Sequence, residues 1–307
     1  MKQKRIVTWR LTLKLVLGIL FIVSAVVKIA DMDRFEIYIY SYHFFSLNFS
    51  FLVARAAIIA ELVLGIGLIS NCLHKLMWWG SVLMLIGYAF FLFYAFVIGR
   101  TDSCHCFGEY LQLNPWQSIV KNIVLLALFA LVYKVKGFCF KREFLALIGV
   151  AVIASVVVFV VSPPDNYMPN YNEKGSVQTE LLYKSMQQAP LDSLHLDEGK
   201  KVLCFFSTGC DYCKMAVEKL SLMQEHYHFS ADNVYCAFLG TAEGIDRFFE
   251  ETGIRPYQSV VFEDVVQLLK ITDGNFPVVV FLEKGRVVHA YGFRSMKETE
   301  IKAFFQN

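Results

Sequence analysis

Charge is what this chain has least of. Only 18% of its 307 residues are charged, against about 25% in an ordinary soluble protein, while 56% are hydrophobic. That balance excludes a disordered chain and a wholly soluble one. The net charge is +2, from 29 basic and 27 acidic residues. No basic run is long enough to follow a phosphate backbone, which excludes nucleic acid as a partner. Eight cysteines are too few for a disulfide-built scaffold but enough for redox chemistry if well placed. The apolar stretches lack strand-type alternation, which excludes a membrane β-barrel. The chain has no internal repeat and no low-complexity tract.

What it does have is long apolar runs, concentrated in the first half. Spans of membrane length lie at 11–30, 52–70, 76–99, 116–133 and 143–161, each close to the ~20 residues a helix needs to cross the hydrocarbon core. The first is too long for a signal-peptide core, and Lys28 stands where cleavage would need small residues. Lys2, Lys4, Arg5 and Arg10 precede the first span, Lys75 follows the second, and Lys134, Lys136, Lys141 and Arg142 follow the fourth. The opposite loops receive only Arg34 and Arg100. The positive-inside rule then predicts a cytoplasmic (inner) membrane protein with a cytoplasmic N-terminus and everything after Val161 outside the cytoplasm. The expected domains are a membrane part over 1–161, a Pro- and Asn-rich linker and lead-in over 162–198, and a soluble domain over 199–307.

In the soluble tail, a charged start at Lys200 and Lys201 leads into the apolar run Val202–Phe206, as in a strand buried on both faces. Ser207, Thr208 and Gly209 break it. Cys210-Asp211-Tyr212-Cys213 follows and opens a helical pattern with Cys213, Val217, Leu220 and Met223 on one face. A helix start stabilises an anion through its free N–H groups and dipole. Cys210 is therefore expected as the attacking thiolate and the more buried Cys213 as the resolving sulfur. The alternative, half a zinc site, needs two more ligands. His226 and His228 are available only beyond the far end of the same helix, so no metal site is expected.

A second strand at 233–239, helical stretches at 242–252 and 258–270, Phe276-Pro277, a hairpin at 278–291 and a last helix at 297–305 complete the tail. This order, with the Cys-x-x-Cys where it stands, resembles the thioredoxin fold over residues 199–305. The resemblance implies that Pro277 is the cis proline facing the cysteines and flanking the site for an extended partner chain. Two positions depart from that family's pattern. Gly209 replaces the usual tryptophan, and Cys204 replaces the buried acid six residues before the first active cysteine. Cys204 and Cys236 fall in strands and read as inert core thiols.

A second cysteine pair lies between the third and fourth spans, in Thr101-Asp102-Ser103-Cys104-His105-Cys106-Phe107-Gly108-Glu109. Cys104 and Cys106 would close a very small, strained and easily reduced ring. That favours an exchange-active pair over two free thiols or part of a metal site. His105 between them would donate a proton or steady a thiolate. Together with the Gly18–Lys28 stretch, Glu61 and the LNPW…KN block, this segment resembles the DoxX/MauE membrane family over residues 8–135. For MauE the resemblance implies methylamine utilisation and disulfide maturation of methylamine dehydrogenase. For DoxX-type proteins it implies a link to quinone. No cysteine pair of the kind that vitamin K epoxide reductase-like proteins set beside quinone is present, so quinone is the one cofactor in view and no motif demands it.

At ~1.5 Å per residue, Lys28, Arg55 and Lys121 fall within about 8 Å of the outer ends of their helices, and Glu61 ~6 Å deeper than Lys121. Singly, each cation reads as a snorkelling anchor. Jointly they read as a positive patch beneath Cys104 and Cys106. Glu61 is a functional candidate by its cost in lipid, with an ion pair to Lys121 as its structural alternative.

The expected architecture is thus multi-domain: an all-α transmembrane bundle of five helices plus an α/β thioredoxin-like domain. The expected activity is that of a membrane thiol–disulfide oxidoreductase. Cys210 and Cys213 would exchange with cysteine-bearing envelope client proteins and with Cys104 and Cys106. The rival readings are a quinone-linked electron-transfer subunit, a non-catalytic redox assembly factor, and a metal-delivery module built on Cys104, His105 and Cys106.

Overall fold

The computed structural model describes residues 2–71, 73–100, 114–133, 143–163 and 177–306. It divides into one unit of Met1–Tyr42 with Phe49–Pro163 and another of His43–Asn48 with Pro164–Asn307.

The first unit is helical: α1 (Lys2–Ala30), α2 (Met32–Tyr40), α3 (Leu47–Ser70), α4 (His74–Val97), α5 (Pro115–Val132) and α6 (Glu143–Val161). Five of these are long and apolar enough to cross a membrane, over Trp9–Ala30, Leu47–Ser70, His74–Val97, Pro115–Val132 and Glu143–Val161. The chain is a multi-pass membrane protein. Phe90 and Val160, each 72% exposed, belong to an outward apolar surface that costs nothing against lipid. Inside, Leu17 and Phe21 of α1 pack with Leu64 and Leu68 of α3, Met77 and Leu85 of α4, and Phe129 and Val132 of α5. α5 starts sharply because Asn114 caps it. The Asn114 Oδ1 accepts from the Gln117 N–H at 2.9 Å, the Gln117 Oε1 accepts from the Asn114 N–H at 3.2 Å, and Pro115 takes the first turn. α2 has no counterpart in the hydropathy reading, because nine residues are too few to register as a span.

α1 and α3 cross closely at two glycines. A Cβ on Gly65 would lie 2.8 Å from the Gly18 carbonyl oxygen, and one on Gly18 would lie 2.9 Å from that of Gly65. Only backbone fits there. Gly65→Val should lower thermal stability in detergent by ~1–3 kcal/mol, the usual cost of overpacking. Gly87→Ala, where a Cβ meets nothing within 4 Å, should leave it unchanged. Equal effects of the two substitutions would refute the close crossing.

The second unit is built on a five-stranded mixed sheet in the order β3-β2-β1-β4-β5. Its elements run α7 (Thr179–Ser185), β1 (Lys200–Ser207), α8 (Asp211–Tyr227), β2 (Val234–Leu239), α9 (Ala242–Thr252), β3 (Gln258–Val261), α10 (Val265–Ile271), β4 (Val278–Glu283), β5 (Arg286–Tyr291) and α11 (Glu298–Gln306). β1 pairs parallel with β2 and antiparallel with β4, and the parallel edge continues to β3. Leu203, Phe205, Tyr235, Val278 and Val280 form one face, packed with Leu182 of α7 and with Leu268 and Ile271 of α10. The other face carries Phe206 and Phe238 against Phe248 of α9, and Phe281 against Phe304 of α11. Burial on both sides explains the unbroken apolar run of β1.

Two stretches differ from the sequence reading. Residues 258–261 are an edge strand, not the start of a helix. Val260 and Val261 are β-branched and pair with Ala237 and Phe238. The helix begins only at Val265, where the Asp264 Oδ1 accepts from the Gln267 N–H at 2.9 Å. The lead-in before β1 is also more than a tether, since Leu182, Leu191, Leu194 and Leu196 enter the core.

Candidate functional site

The cysteine pair stands where β1 ends and α8 begins. The Cys210 N–H donates to the Ser207 carbonyl at 3.1 Å, and the Cys210 carbonyl accepts from the N–H groups of Cys213 at 3.0 Å and Lys214 at 3.2 Å. Cys210 is thus the N-cap of α8, in extended geometry, at the positive end of the helix. Hydrogen bonding from the Cys213 thiol is the largest influence on it. The N–H groups of Cys213 and Tyr212 act in the same direction, while partial burial and the Asp211 charge oppose them. The result is a thiol lowered from 9.0 to about 6. Cys213 is fully buried, and its sulfur accepts from the Ser207 N–H at 3.4 Å. Burial, then its bond to Cys210, pushes this thiol far above the ordinary range. One sulfur is half-exposed and anionic at neutral pH; its neighbour is protonated and shielded.

This asymmetry has a pH signature. Alkylation of Cys210 in the reduced protein should rise through about pH 6 rather than 9, followed by mass spectrometry of the Cys210 peptide. Asp211→Asn removes the opposing charge and should move the inflection lower still. The sign for stability follows by linkage. A depressed thiol favours the folded reduced state fully above pH 9, and that contribution fades as pH falls to about 6. An inflection near 9 would exclude the thiolate.

Three further features frame the sulfur. β4 runs antiparallel to β1 with Val278 opposite Phe205, which puts Pro277 at the same end of the sheet as Cys210; the Phe276–Pro277 peptide is cis. A Cβ at Gly209 would meet nothing within 4 Å, so the position that a tryptophan would fill is open. Tyr212, 46% exposed, leans on Phe293 at 5.6 Å between ring centroids. The Phe293 carbonyl accepts from the buried Lys219 Nζ at 3.0 Å. Tyr212, Phe293 and Lys219 carried no sequence signal beyond, for Tyr212, its place inside the motif.

In the membrane unit, Lys28 and Glu61 are each 2% exposed. The Lys28 Nζ donates to both Glu61 oxygens, at 2.6 and 2.9 Å, and to the Ser24 Oγ at 2.7 Å. The Tyr88 hydroxyl donates to Glu61 Oε1 at 2.8 Å. Arg55 binds the Glu36 carboxylate and donates to the carbonyls of Phe51 and Ser162, each at 2.9 Å. Lys28 and Arg55, read from sequence as parts of one positive patch, therefore each meet a carboxylate of their own. The cation at hydrogen-bond distance from Glu61 is Lys28. Lys121 lies half-buried on α5. Glu36 and Tyr88 were missed in the sequence because a partner across helices leaves no local pattern, and Ser24, one turn before Lys28 on α1, carries no signal of its own. Cys104, His105 and Cys106 lie outside the described residues.

Residues 6–135, which contain both ion pairs and the Cys104–Cys106 segment, match the family model of the methylamine utilisation protein MauE. This stretch is a MauE-family domain. The chain is also similar to Protein TlpB of Flavobacterium psychrophilum, 28% identical over 305 aligned residues that take in 81% of this chain and 82% of that protein. A match of that extent runs past the MauE domain into the thioredoxin-like unit. A MauE domain with four membrane-length helices, followed by a fifth and by a sheet that presents a cysteine pair, identifies a membrane protein with a redox-related role.

Proposed function

We propose that this protein is a membrane-anchored thiol–disulfide oxidoreductase of a bacterial-type envelope. The observation that carries the reading is the unlike pair at the start of α8: a half-exposed acidic Cys210 and a buried, protonated Cys213. In the reducing direction the Cys210 thiolate attacks a client disulfide, forming a mixed disulfide and releasing one client thiolate. The Cys213 sulfur then attacks Cys210, closing the Cys210–Cys213 bond and releasing the second client thiol. In the oxidising direction the same steps run backwards, and the client leaves with the disulfide. The stabilised Cys210 thiolate lowers the free energy of the reduced pair, which makes its disulfide the stronger oxidant and favours donation to clients.

Cys104 and Cys106 are the second couple in this reading. The distribution of Lys and Arg supports a loop and a tail on the same, extracytoplasmic side. Tethering then makes exchange between the couples intramolecular, at a local concentration on the order of mM. Pro277 flanks the client segment. The lipid bilayer is the anchor, and envelope proteins bearing cysteines are the clients.

Thiol trapping in intact cells, with each pair replaced in turn, tests the scheme. Cys210→Ser should shift the redox state of Cys104 and Cys106, and Cys106→Ser should shift that of Cys210 and Cys213. Two pairs that ignore one another, with client disulfides unchanged, would sink it.

A further inference from the structure

In the tail, two cysteines remain outside this mechanism. Cys204 of β1 and Cys236 of β2 are register partners on adjacent parallel strands, so their side chains leave the sheet on the same face. Both are fully buried, and burial, with the neighbouring Cys236 thiol, pushes the Cys204 thiol well above its ordinary range. The face they share carries Phe206 and Phe238 and is opposite to the one packed against α7 and α10. The Cys213 sulfur accepts from the Ser207 N–H of β1 at 3.4 Å, three residues along the strand from Cys204. Tyr257, whose hydroxyl donates to the Gln224 Oε1 of α8 at 2.7 Å, feels both thiols as well. The tail thus holds four cysteine thiols, half-exposed at Cys210 and closed off at the other three.

We propose that Cys204 and Cys236 are a second, solvent-excluded dithiol couple that exchanges electrons with the Cys210–Cys213 couple through Cys213. This rests on Cys210 and Cys213 being the exchange pair proposed above. The Cys204 sulfur attacks the Cys213 sulfur of the active disulfide. A Cys204–Cys213 bond forms, the Cys210–Cys213 bond breaks, and Cys210 leaves and takes up the Cys204 proton. The Cys236 sulfur then attacks Cys204, closing Cys204–Cys236, and Cys213 leaves with the Cys236 proton. Two electrons and two protons pass from the buried pair to the active pair, and no outside oxidant is needed. Cys210 is the favourable leaving group because its thiolate is stabilised.

Complete burial keeps small thiols, oxidants and clients away from Cys204 and Cys236, and it holds both thiols protonated. The Cys213 sulfur rests at the Ser207 N–H in the reduced form, so the transfer requires a local opening of the first turn of α8. The buried couple therefore equilibrates later than the active one. It stores an oxidising equivalent and returns it by the reverse route.

The test uses the full-length reduced protein in detergent, mixed with oxidised glutathione, quenched with acid at intervals, alkylated after unfolding and mapped by peptide mass spectrometry. The expected result is a fast closure of Cys210–Cys213 and a slower closure of Cys204–Cys236. In the Cys210→Ser/Cys213→Ser variant the slow phase should be at least about tenfold slower. If Cys210–Cys213 closes while Cys204 and Cys236 stay thiols, this inference is overturned and the proposed function stands. An unchanged slow phase in the double variant also overturns it, since the electrons would then take another route. If Cys210–Cys213 never closes, the proposed function falls and the buried couple falls with it.

Discussion

Cys210→Ser is expected to reduce disulfide transfer by the purified protein to the uncatalysed rate, a loss of at least about a hundredfold, because a serine hydroxyl supplies no thiolate. Cys213→Ser should behave differently. Its Cys210 keeps the N–H groups of the first turn, so attack on a disulfide survives, but no resolving sulfur follows. Mixed disulfides with clients should accumulate and persist until a small thiol releases them. Cys213 is also the largest source of the Cys210 acidity, so the inflection for Cys210 alkylation should move up in Cys213→Ala, which, unlike serine, offers no donor in its place. Three readouts thus separate the two sulfurs: turnover, trapped adducts and the pH of alkylation. Equal losses with no trapped species in either variant would contradict the assignment of attacker and resolver.

The second large effect belongs to the membrane unit. Glu61→Leu leaves the Lys28 ammonium, 2% exposed, without its carboxylate, and it strips the acceptor from the Tyr88 hydroxyl. Removing one partner of a buried pair costs about 3–5 kcal/mol, and the lipid surroundings give the orphaned charge no water to turn to. Thermal unfolding in detergent should show a large drop for Glu61→Leu and for Lys28→Met. The double variant should recover most of it, because replacing a whole buried pair by apolar side chains is often nearly neutral. If the two losses simply add, the pair is not coupled. The same cycle on Arg55 and Glu36 should recover less, because Arg55 also serves the carbonyls of Phe51 and Ser162, which would then lose their donor.

The two units were legible to different degrees. Apolar transfer free energy accumulates over contiguous residues, so the membrane helices can be read from windows of the chain. The corner that holds Cys210 is equally local: an apolar run, a break, then a helical pattern. The strand at 258–261 was hidden because its support comes from β2, some twenty residues earlier in the chain. The β-branched pair Val260-Val261 fits a strand, yet a four-residue run is too short to outweigh the helical pattern that follows. Cys204 and Cys236 each read as core thiols because a strand cysteine seen singly is usually core, and their adjacency comes from strand register alone.

By itself the sequence determined that this is a multi-pass membrane chain with a thioredoxin-like tail, and that one cysteine pair opens a helix. Hydropathy, periodicity and capping all act between near neighbours. Only the tertiary structure decided that Lys28 answers Glu61, that Arg55 answers Glu36, and that Cys204 stands beside Cys236. Those pairings join residues 19 to 33 positions apart. They depend on helix crossings and strand register, which are set by packing over the whole unit and leave no imprint on the residues adjacent to each partner.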